Sequence, residues 1–299
     1  MARVSNGLQI PLSWIPAKDG ILPKNAVKAD EAIYVARCQI DNDLICGKFS
    51  EKYGKAYIPL DGKELEFTNY EVLCNTGIPG CRVGYEWIMM NGGDVPENAL
   101  VAGINKFGTP LYIVKAVIEG EVSVGKVSLI LLSVDVYLLH HLFVMARVSN
   151  GLQIPLSWIP AKDGILPKNA VKADEAIYVA RCQIDNDLIC GKFSEKYGKA
   201  YIPLDGKELE FTNYEVLCNT GIPGCRVGYE WIMMNGGDVP ENALVAGINK
   251  FGTPLYIVKA VIEGEVSVGK LIQGESSGCF PWGGDERKCE YYEVLTLKY

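Results

Sequence analysis

A glycine-lysine pair follows an apolar run at four places in this chain, at Lys48, Lys126, Lys192 and Lys270. An acidic residue stands five positions before each lysine, at Asp43, Glu121, Asp187 and Glu265. A polar residue lies in the preceding turn, at Asn105 and Asn249 in two copies and at Asp30 and Asp174 in the other two. A lysine and a carboxylate or carboxamide on one cleft offer fixed donors and acceptors. Such a set suits a polyol, because each hydroxyl both donates and accepts a hydrogen bond.

A simpler interpretation needs no ligand. Each lysine could form a surface ion pair with its acidic neighbour and hold a turn, which contributes little to stability. The spacing alone leaves both interpretations open.

Catalytic chemistry finds little support in the sequence. The only histidines, His140 and His141, lie outside the repeated parts of the chain. This excludes Ser-His-Asp and Cys-His nucleophiles, histidine general bases and most zinc sites. Dinucleotide, phosphate-loop and nucleophile-elbow motifs are missing, and no cluster offers calcium-like oxygen ligands. We therefore expect no enzyme, no cofactor and no metal site.

The part of the chain that carries these residues is duplicated. Residues 1–126 recur unchanged as residues 145–270. The second copy continues for a further stretch, LIQGESSGCFPWGGDERKCEYYEVLTLKY, to Tyr299, whereas the first runs into VSLILLSVDVYLLHHLFV before the restart at Met145. We predict a first module at 1–126 that lacks its closing segment, an apolar connecting segment at 127–144, and a complete second module at 145–299.

Each module contains a weaker internal repeat. Trp14-Ile-Pro matches Trp87-Ile-Met, and Pro23-Lys-Asn-Ala matches Pro96-Glu-Asn-Ala at the same distance from its tryptophan. Short runs of β-branched and aromatic residues alternate with Asp-Gly and Gly-Gly turns, and no long window has a helical period. These patterns predict an all-β fold with two antiparallel units per module, of about four strands each, closing on one core.

The tryptophans have two interpretations. Trp14, Trp87, Trp158, Trp231 and Trp282 could be platforms on which sugars stack. At strand starts beside turns, such residues are more often core, and we predict core positions for the first four.

The connecting segment at 127–144 is apolar and close to the shortest length that spans a membrane. Asp135 and the two histidines would make insertion costly, so no stable membrane span is expected. Two alternatives stay open. The segment could form a makeshift strand that patches the first module, or it could be non-native sequence from a mis-joined coding segment.

Composition limits the partners and the location. The 299-residue chain has a net charge of −7 and no basic run, which excludes a general nucleic-acid binder. The N-terminus lacks the apolar core of a secretory signal. We predict a cytoplasmic protein whose ten cysteines are reduced, with release or membrane association only by an unconventional route.

An ordered set of motifs in this chain resembles the DM-nine repeat family. The motifs are Trp14-Ile-Pro, Pro240-Glu-Asn-Ala-Leu-Val-Ala-Gly, Pro254-Leu-Tyr-Ile-Val-Lys-Ala, Glu263-Gly with the Gly-Lys at Lys270, Pro281-Trp-Gly-Gly and Tyr292-Glu-Val-Leu. Together they cover nearly all of 145–299 and all of 1–126.

Chains with two such repeats are similar to the mannose-specific DM-nine lectins of marine molluscs. The resemblance implies an all-β fold of pseudo-twofold-related repeats, a homodimer, and a pattern-recognition and agglutination role in innate immunity. It also implies that a turn aspartate and the Gly-Lys lysine bind mannose. Transferred here, the lysine role falls on Lys48, Lys126, Lys192 and Lys270, and the turn role on Asn105, Asn249, Asp30 and Asp174. The neighbouring acids Asp43, Glu121, Asp187 and Glu265 are secondary candidates.

Two departures from the family pattern affect the expected sites. Asparagine at Asn105 and Asn249 keeps an acceptor but loses the charge, and the loops at Asp30 and Asp174 are several residues shorter. Despite these departures, the sequence and its resemblance to the family predict a non-enzymatic lectin for mannose-type glycans on microbial surfaces. The alternative is an intracellular structural or scaffold repeat protein whose sugar site has decayed.

Overall fold

The computed structural model describes residues 8–9, 12–77, 85–90, 94–96, 99–128, 143–148, 156–221 and 228–298. These ranges form an all-β structure without a helix, as predicted. Among the described residues, strand pairing is antiparallel except where Leu8 and Gln9 pair in parallel with Leu244 and Val245. The histidine pair, Cys81, Cys225 and residues 129–142 of the connecting segment lie outside the described residues.

The strands before the second module are β1 (Leu8–Gln9), β2 (Leu12–Lys18), β3 (Lys28–Asp30), β4 (Ile33–Ile40), β5 (Asp43–Ser50), β6 (Lys55–Leu60), β7 (Lys63–Phe67), β8 (Asn69–Asn75), β9 (Tyr85–Met90), β10 (Val101–Ile104), β11 (Pro110–Ile118), β12 (Glu121–Val127) and β13 (Phe143–Val148).

The second module comprises β14 (Leu156–Lys162), β15 (Lys172–Asp174), β16 (Ile177–Ile184), β17 (Asp187–Ser194), β18 (Lys199–Leu204), β19 (Lys207–Phe211), β20 (Asn213–Asn219), β21 (Gly228–Asn235), β22 (Leu244–Ile248), β23 (Pro254–Ile262), β24 (Glu265–Ile272), β25 (Gly278–Trp282), β26 (Asp285–Cys289) and β27 (Tyr291–Lys298).

The second module consists of two units with the same connectivity, unit A (β14 to β20) and unit B (β21 to β27). In unit A, β14 pairs with β20, β20 with β16, and β16 to β19 follow in order, with β15 on β16. In unit B, β21, β27 and β23 to β26 repeat this order, with β22 on β23. This confirms two related units per module. The expected four strands per unit were too few, because strands as short as Lys172–Asp174 carry no alternation to recognise.

The two units of a module enclose one core. In the second module it draws on both units through fully buried Trp158, Val179, Leu217, Leu244 and Ile257. The first module has the same arrangement around Trp14, which is also fully buried. Trp87 and Trp231 are half-buried and pack against these cores. The predicted core role of these tryptophans is therefore confirmed.

The two modules meet through identical residues in a twofold arrangement. The backbone N–H of Trp14 donates to Ser157 Oγ at 3.1 Å, and the backbone N–H of Trp158 donates to Ser13 Oγ at 3.0 Å. Ile15 and Ile159 share one apolar cluster that joins the modules. Each copy uses the same surface against the other, so the contact is isologous.

A strand from the middle of the chain closes the first module. β27 pairs with β21 and β23, and β13 pairs with the corresponding β9 and β11. The strand Phe143–Val148 spans the end of the connecting segment and the start of the second copy. Only Phe143 and Val144 of this strand belong to the connecting segment, so both alternatives for residues 127–144 stay predictions. In the described part of the chain, no helix is long and apolar enough to cross a membrane.

Candidate functional site

In three of the four Gly-Lys pairs, those of Gly47, Gly191 and Gly269, close packing of neighbouring strands requires the glycine. A Cβ at Gly191 would lie 2.2 Å from the Tyr201 carbonyl oxygen, and one at Gly269 would lie 1.9 Å from that of Cys279. Only glycine permits this approach. The next residue along each strand is the lysine, and its side chain crosses to the other unit.

The two lysines of the second module make reciprocal contacts between the units. Lys192 Nζ of unit A donates to the Pro281 carbonyl oxygen of unit B at 2.7 Å. Lys270 Nζ of unit B donates to the carbonyl oxygen of Pro203 in unit A. The exchange follows the pseudo-twofold relation of the units, and it shows that the Gly-Lys motif helps to join them.

Each lysine also forms an enclosed ion pair. Lys192 Nζ lies 3.3 Å from Glu208 Oε1, and Lys270 Nζ lies 3.1 Å from Glu286 Oε1. The interpretation that the lysine pairs with the acid five positions earlier was wrong for Lys48, Lys192 and Lys270. Asp187 and Glu265 are the first residues of β17 and β24, the strands that carry the lysines. Glu208 and Glu286 instead lie on the hairpins β18–β19 and β25–β26, which pack against those strands. The ion pairs are enclosed because the two units pack together over them.

The two glutamates fasten the hairpins to each other. Glu208 Oε2 accepts the Gly284 N–H at 2.8 Å, and Glu286 Oε2 accepts the Gly206 N–H at 2.8 Å. Their backbones pair as well, since the N–H of each glutamate donates to the carbonyl of the opposite glycine at 3.0 Å. These contacts hold Glu286 rigidly beside Lys270.

A cavity of about 260 Å³ lies between the units of the second module next to Lys270. It is lined by Asp187, Ile189, Leu204, Asp205, Asn249, Lys250, Phe251, Leu255, Lys270, Ile272, Glu275, Cys279, Glu286 and Lys288. We call it the unit cavity. Asp187, Asn249 and Lys270, three of the candidate residues from the sequence, meet here.

Two of these residues, Asp187 and Asn249, form hydrogen bonds with the backbone of the loop between β22 and β23. Asp187 Oδ1 accepts the Lys250 N–H at 2.5 Å, and Oδ2 has no partner among the described residues. Asn249 Oδ1 accepts the N–H groups of Phe251 at 3.0 Å and Thr253 at 2.9 Å. Asn249 therefore shapes the loop with its side-chain carbonyl, and Asp187 fixes the loop with one carboxylate oxygen.

The opposite side of the second module has no matching loop. β15 ends at Asp174 and β16 begins at Ile177, whereas β22 ends at Ile248 and β23 begins only at Pro254. Asp174 and Glu265 are exposed and do not line the unit cavity, and neither does Lys192. The short turn cannot reach across to the other unit, so the pseudo-twofold relation does not produce a second equal cavity here.

The first module repeats part of the site. Asp43 Oδ1 accepts the Lys106 N–H, and Asn105 Oδ1 accepts the N–H groups of Phe107 and Thr109. Lys126 Nζ donates to the Pro59 carbonyl oxygen at 2.5 Å. Residues 1–126 contain no counterparts of Cys279, Glu286 and Lys288, which complete the wall in the second module. Asp30 and Glu121 are exposed, as their counterparts are.

Sequence reasoning missed three residues of this region. Glu208 and Glu286 follow Asp-Gly and Gly-Gly turns, and that position was a usable signal. Phe251 lines the unit cavity although it is 80% exposed. An aromatic residue in the polar turn Asn-Lys-Phe-Gly is not expected to pack in a core, so it could have indicated a ligand contact.

The cysteines near the site are not nucleophiles at neutral pH. Burial raises the pKa of Cys190 to about 12, although the charge of Lys270 opposes the shift. Burial and the charge of Glu286 raise the pKa of Cys279 to about 11. Both thiols remain protonated near neutral pH, so the cavity offers polar recognition rather than thiolate chemistry.

Comparison with known sequences identifies the family of this chain. The DM9 repeat profile matches residues 28–131 and 173–289. The chain belongs to the DM9 repeat family. The matched DM9 stretches contain the four Gly-Lys pairs and the loop of the unit cavity. Family membership favours lectin-like carbohydrate binding.

Two further proteins are similar to this DM9 chain. Natterin-4 of Thalassophryne nattereri is 30% identical over 152 residues, which make up 48% of this chain and 34% of that protein. The chain thus spans about a third of the length of that relative. The crystal structure of the nematode sperm cell motility protein MFP2B aligns over 96% of this chain and 97% of its own, with a TM-score of 0.40 and 14% identity. That structural likeness is too distant to support an argument about function.

Proposed function

We propose that this DM9 protein is a non-enzymatic lectin that binds mannose-type glycans of microbial surfaces in innate-immune recognition and agglutination. The meeting of Asp187, Lys270 and Glu286 in the unit cavity is the observation that supports this best. The cavity volume of about 260 Å³ is just below that of drug-sized pockets, roughly 300–1,000 Å³, and suits a single sugar residue.

The polar groups of the cavity match two adjacent hydroxyls. Lys270 has three N–H donors, and the described residues use two of them, for Pro203 and Glu286. Asp187 Oδ2 is available as an acceptor. One hydroxyl can accept from Lys270 and its neighbour can donate to Asp187, as adjacent hydroxyls of mannose allow. Charged partners make such hydrogen bonds stronger than neutral ones.

Phe251 offers the apolar part of the site. One face of a pyranose ring carries mostly C–H groups, and it can lie against an aromatic ring. The exposed ring of Phe251 lies at the cavity, on the loop that Asp187 fixes through the Lys250 N–H. Polar contacts then orient the sugar, and the aromatic contact adds affinity.

Agglutination needs several sites, because one monosaccharide site binds weakly and linked sites gain effective concentration. The homodimer expected from the resemblance would supply them. The isologous contact between the modules through Ser13 and Ser157 supports self-association of this fold. A cytoplasmic location, with release by an unconventional route, stays a prediction.

A structural or scaffold role is the second candidate. The reciprocal contacts of Lys192 with Pro281 and of Lys270 with Pro203 favour it, because they give the Gly-Lys motif a purpose without any ligand. Retention of the full chain on mannose-agarose, elution by free mannose and binding to a glycan array test the two proposals. Retention with elution by mannose supports the lectin, and failure to bind any sugar supports the scaffold.

A further inference from the structure

The second module is completed by a hairpin, Gly278–Cys289, which we call the closing hairpin. The Pro281 carbonyl oxygen accepts from Lys192 Nζ at 2.7 Å and from Ser267 Oγ at 2.9 Å. Its Gly284 N–H donates to Glu208. Main-chain pairing joins it to both units, at Lys270 with Cys279 and at Lys207 with Asp285. The closing hairpin therefore occupies a specific acceptor surface.

The first module has this acceptor surface residue for residue. Lys192, Gly206, Glu208 and Ser267 correspond to Lys48, Gly62, Glu64 and Ser123.

The first acceptor surface is far more open than the second. The side chain of Glu64 is 52% exposed, whereas that of Glu208 is 10% exposed. Lys48 donates to Ser123 Oγ at 3.4 Å, although the equivalent serine in the second module donates to the closing hairpin. Identical residues thus have different surroundings, and the difference is the hairpin.

Among the described residues of the first module, one strand takes the place of the last strand of the closing segment. β13 pairs as β27 does. The sequence between β12 and β13, residues 129–142, contains neither proline nor glycine. It cannot supply the Pro-Trp-Gly-Gly-Asp-Glu turn that makes the contacts of the closing hairpin.

We propose that the first module binds, in trans, a β-hairpin of the closing-hairpin type carried by another polypeptide. The prolyl carbonyl of the partner accepts from Lys48, a glycine N–H of its turn donates to Glu64, and its glutamate accepts the Gly62 N–H. Addition of strands to a sheet edge supplies main-chain hydrogen bonds, and these three contacts supply specificity. The partner is another chain that bears the DM9 closing hairpin.

A labelled peptide of residues 272–290, titrated into the full chain and followed by fluorescence anisotropy, tests the proposal. We expect saturable binding of one peptide per chain. A peptide with Glu286→Ala should bind at least tenfold more weakly. In the chain, Glu64→Ala should weaken binding at least tenfold, while Glu208→Ala, the same residue in the occupied surface, should leave it unchanged.

Hydrogen exchange locates the peptide independently of these variants. Binding should protect the backbone amides of Lys55–Phe67 in β6 and β7. The proposal is overturned by lack of saturable binding or by binding that Glu64→Ala does not change. Protection confined to β18 and β19, which would indicate displacement of the resident hairpin, also overturns it.

Discussion

Lys192 and Glu208 form an enclosed ion pair, with Nζ 3.3 Å from Oε1 and side chains that are 11% and 10% exposed. The identical pair in the first module, Lys48 and Glu64, is closer at 2.9 Å but 21% and 52% exposed. The same sequence therefore presents one buried and one solvated ion pair. The duplication thus supplies a matched control for most experiments on this protein.

Removal of the lysine should have unequal consequences in the two modules. Lys192→Ala leaves the Glu208 carboxylate enclosed without its counter-ion, and we expect a loss of about 3 kcal/mol in the free energy of unfolding. Lys48→Ala exposes a carboxylate that water already reaches, so the loss should stay below about 1 kcal/mol. Urea unfolding of the full chain measures both. Equal losses would contradict the difference in enclosure.

Substitution of the motif glycine should destabilise the second module. In Gly269→Ala the new Cβ would lie 1.9 Å from the Cys279 carbonyl oxygen, so β24 and β25 must separate. We expect a loss of about 3 kcal/mol, typical of overpacking. Gly228→Ala is the control, since its nearest neighbour would be Lys298 Cβ at 3.6 Å. Thermal unfolding should distinguish the two, and a tolerated Gly269→Ala would refute the close approach.

Buried thiols should make the protein sensitive to alkaline pH. Burial raises the pKa of Cys46 and Cys190 from 9.0 to about 12. The folded state thus keeps protons that the unfolded state releases above pH 9, and stability is full below pH 9 and falls towards pH 12. Each thiol contributes about 1.4 kcal/mol per pH unit in this range. In Cys190→Ala, the free energy of unfolding should fall less steeply with pH between pH 8 and 10.5 than in the wild type. An unchanged slope would contradict the assignment.

The second module alone should dimerise. The surface that meets the first module would be exposed in residues 145–299, and an identical surface on a second copy can cover it. Light scattering should show a dimer, and Ile159→Asp should give a monomer because Ile159 lies in the cluster that joins the modules. Val261→Asp, at a position 66% exposed, is the control that should stay dimeric. A monomeric wild-type module would disprove this prediction.

The sequence predicted the fold class and the core well, for a physical reason. Short runs of β-branched and aromatic residues between Gly-containing turns have few structural solutions, and buried Trp14 and Trp158 confirm the expected core. The strand count was too low because strands as short as Lys172–Asp174 carry no pattern to recognise. The role of the hairpin Lys199–Phe211 depends on Glu208 contacts that arise only when two units meet.

The candidate site was only partly predictable. Spacing singled out Lys270 and Asp187, but it could not reveal that the lysine also joins the units or that the loop at Asn249 closes only one side. Those features depend on the pseudo-twofold arrangement and on three extra loop residues between Ile248 and Pro254 compared with Asp174 and Ile177. Phe251 was overlooked because an exposed aromatic residue has no periodic signal.

The most direct test of the lectin proposal compares Asp187→Asn with Asp43→Asn in the full chain. The substitution keeps the acceptor for the loop N–H and replaces only the second oxygen, so the fold should survive in both variants. Calorimetric titration with a mannose-containing oligosaccharide should show at least tenfold weaker binding for Asp187→Asn, as loss of a charged acceptor costs about 1.5–3 kcal/mol. Asp43→Asn should bind like the wild type. Equal binding by both variants and the wild type would contradict the unit cavity as the sugar site.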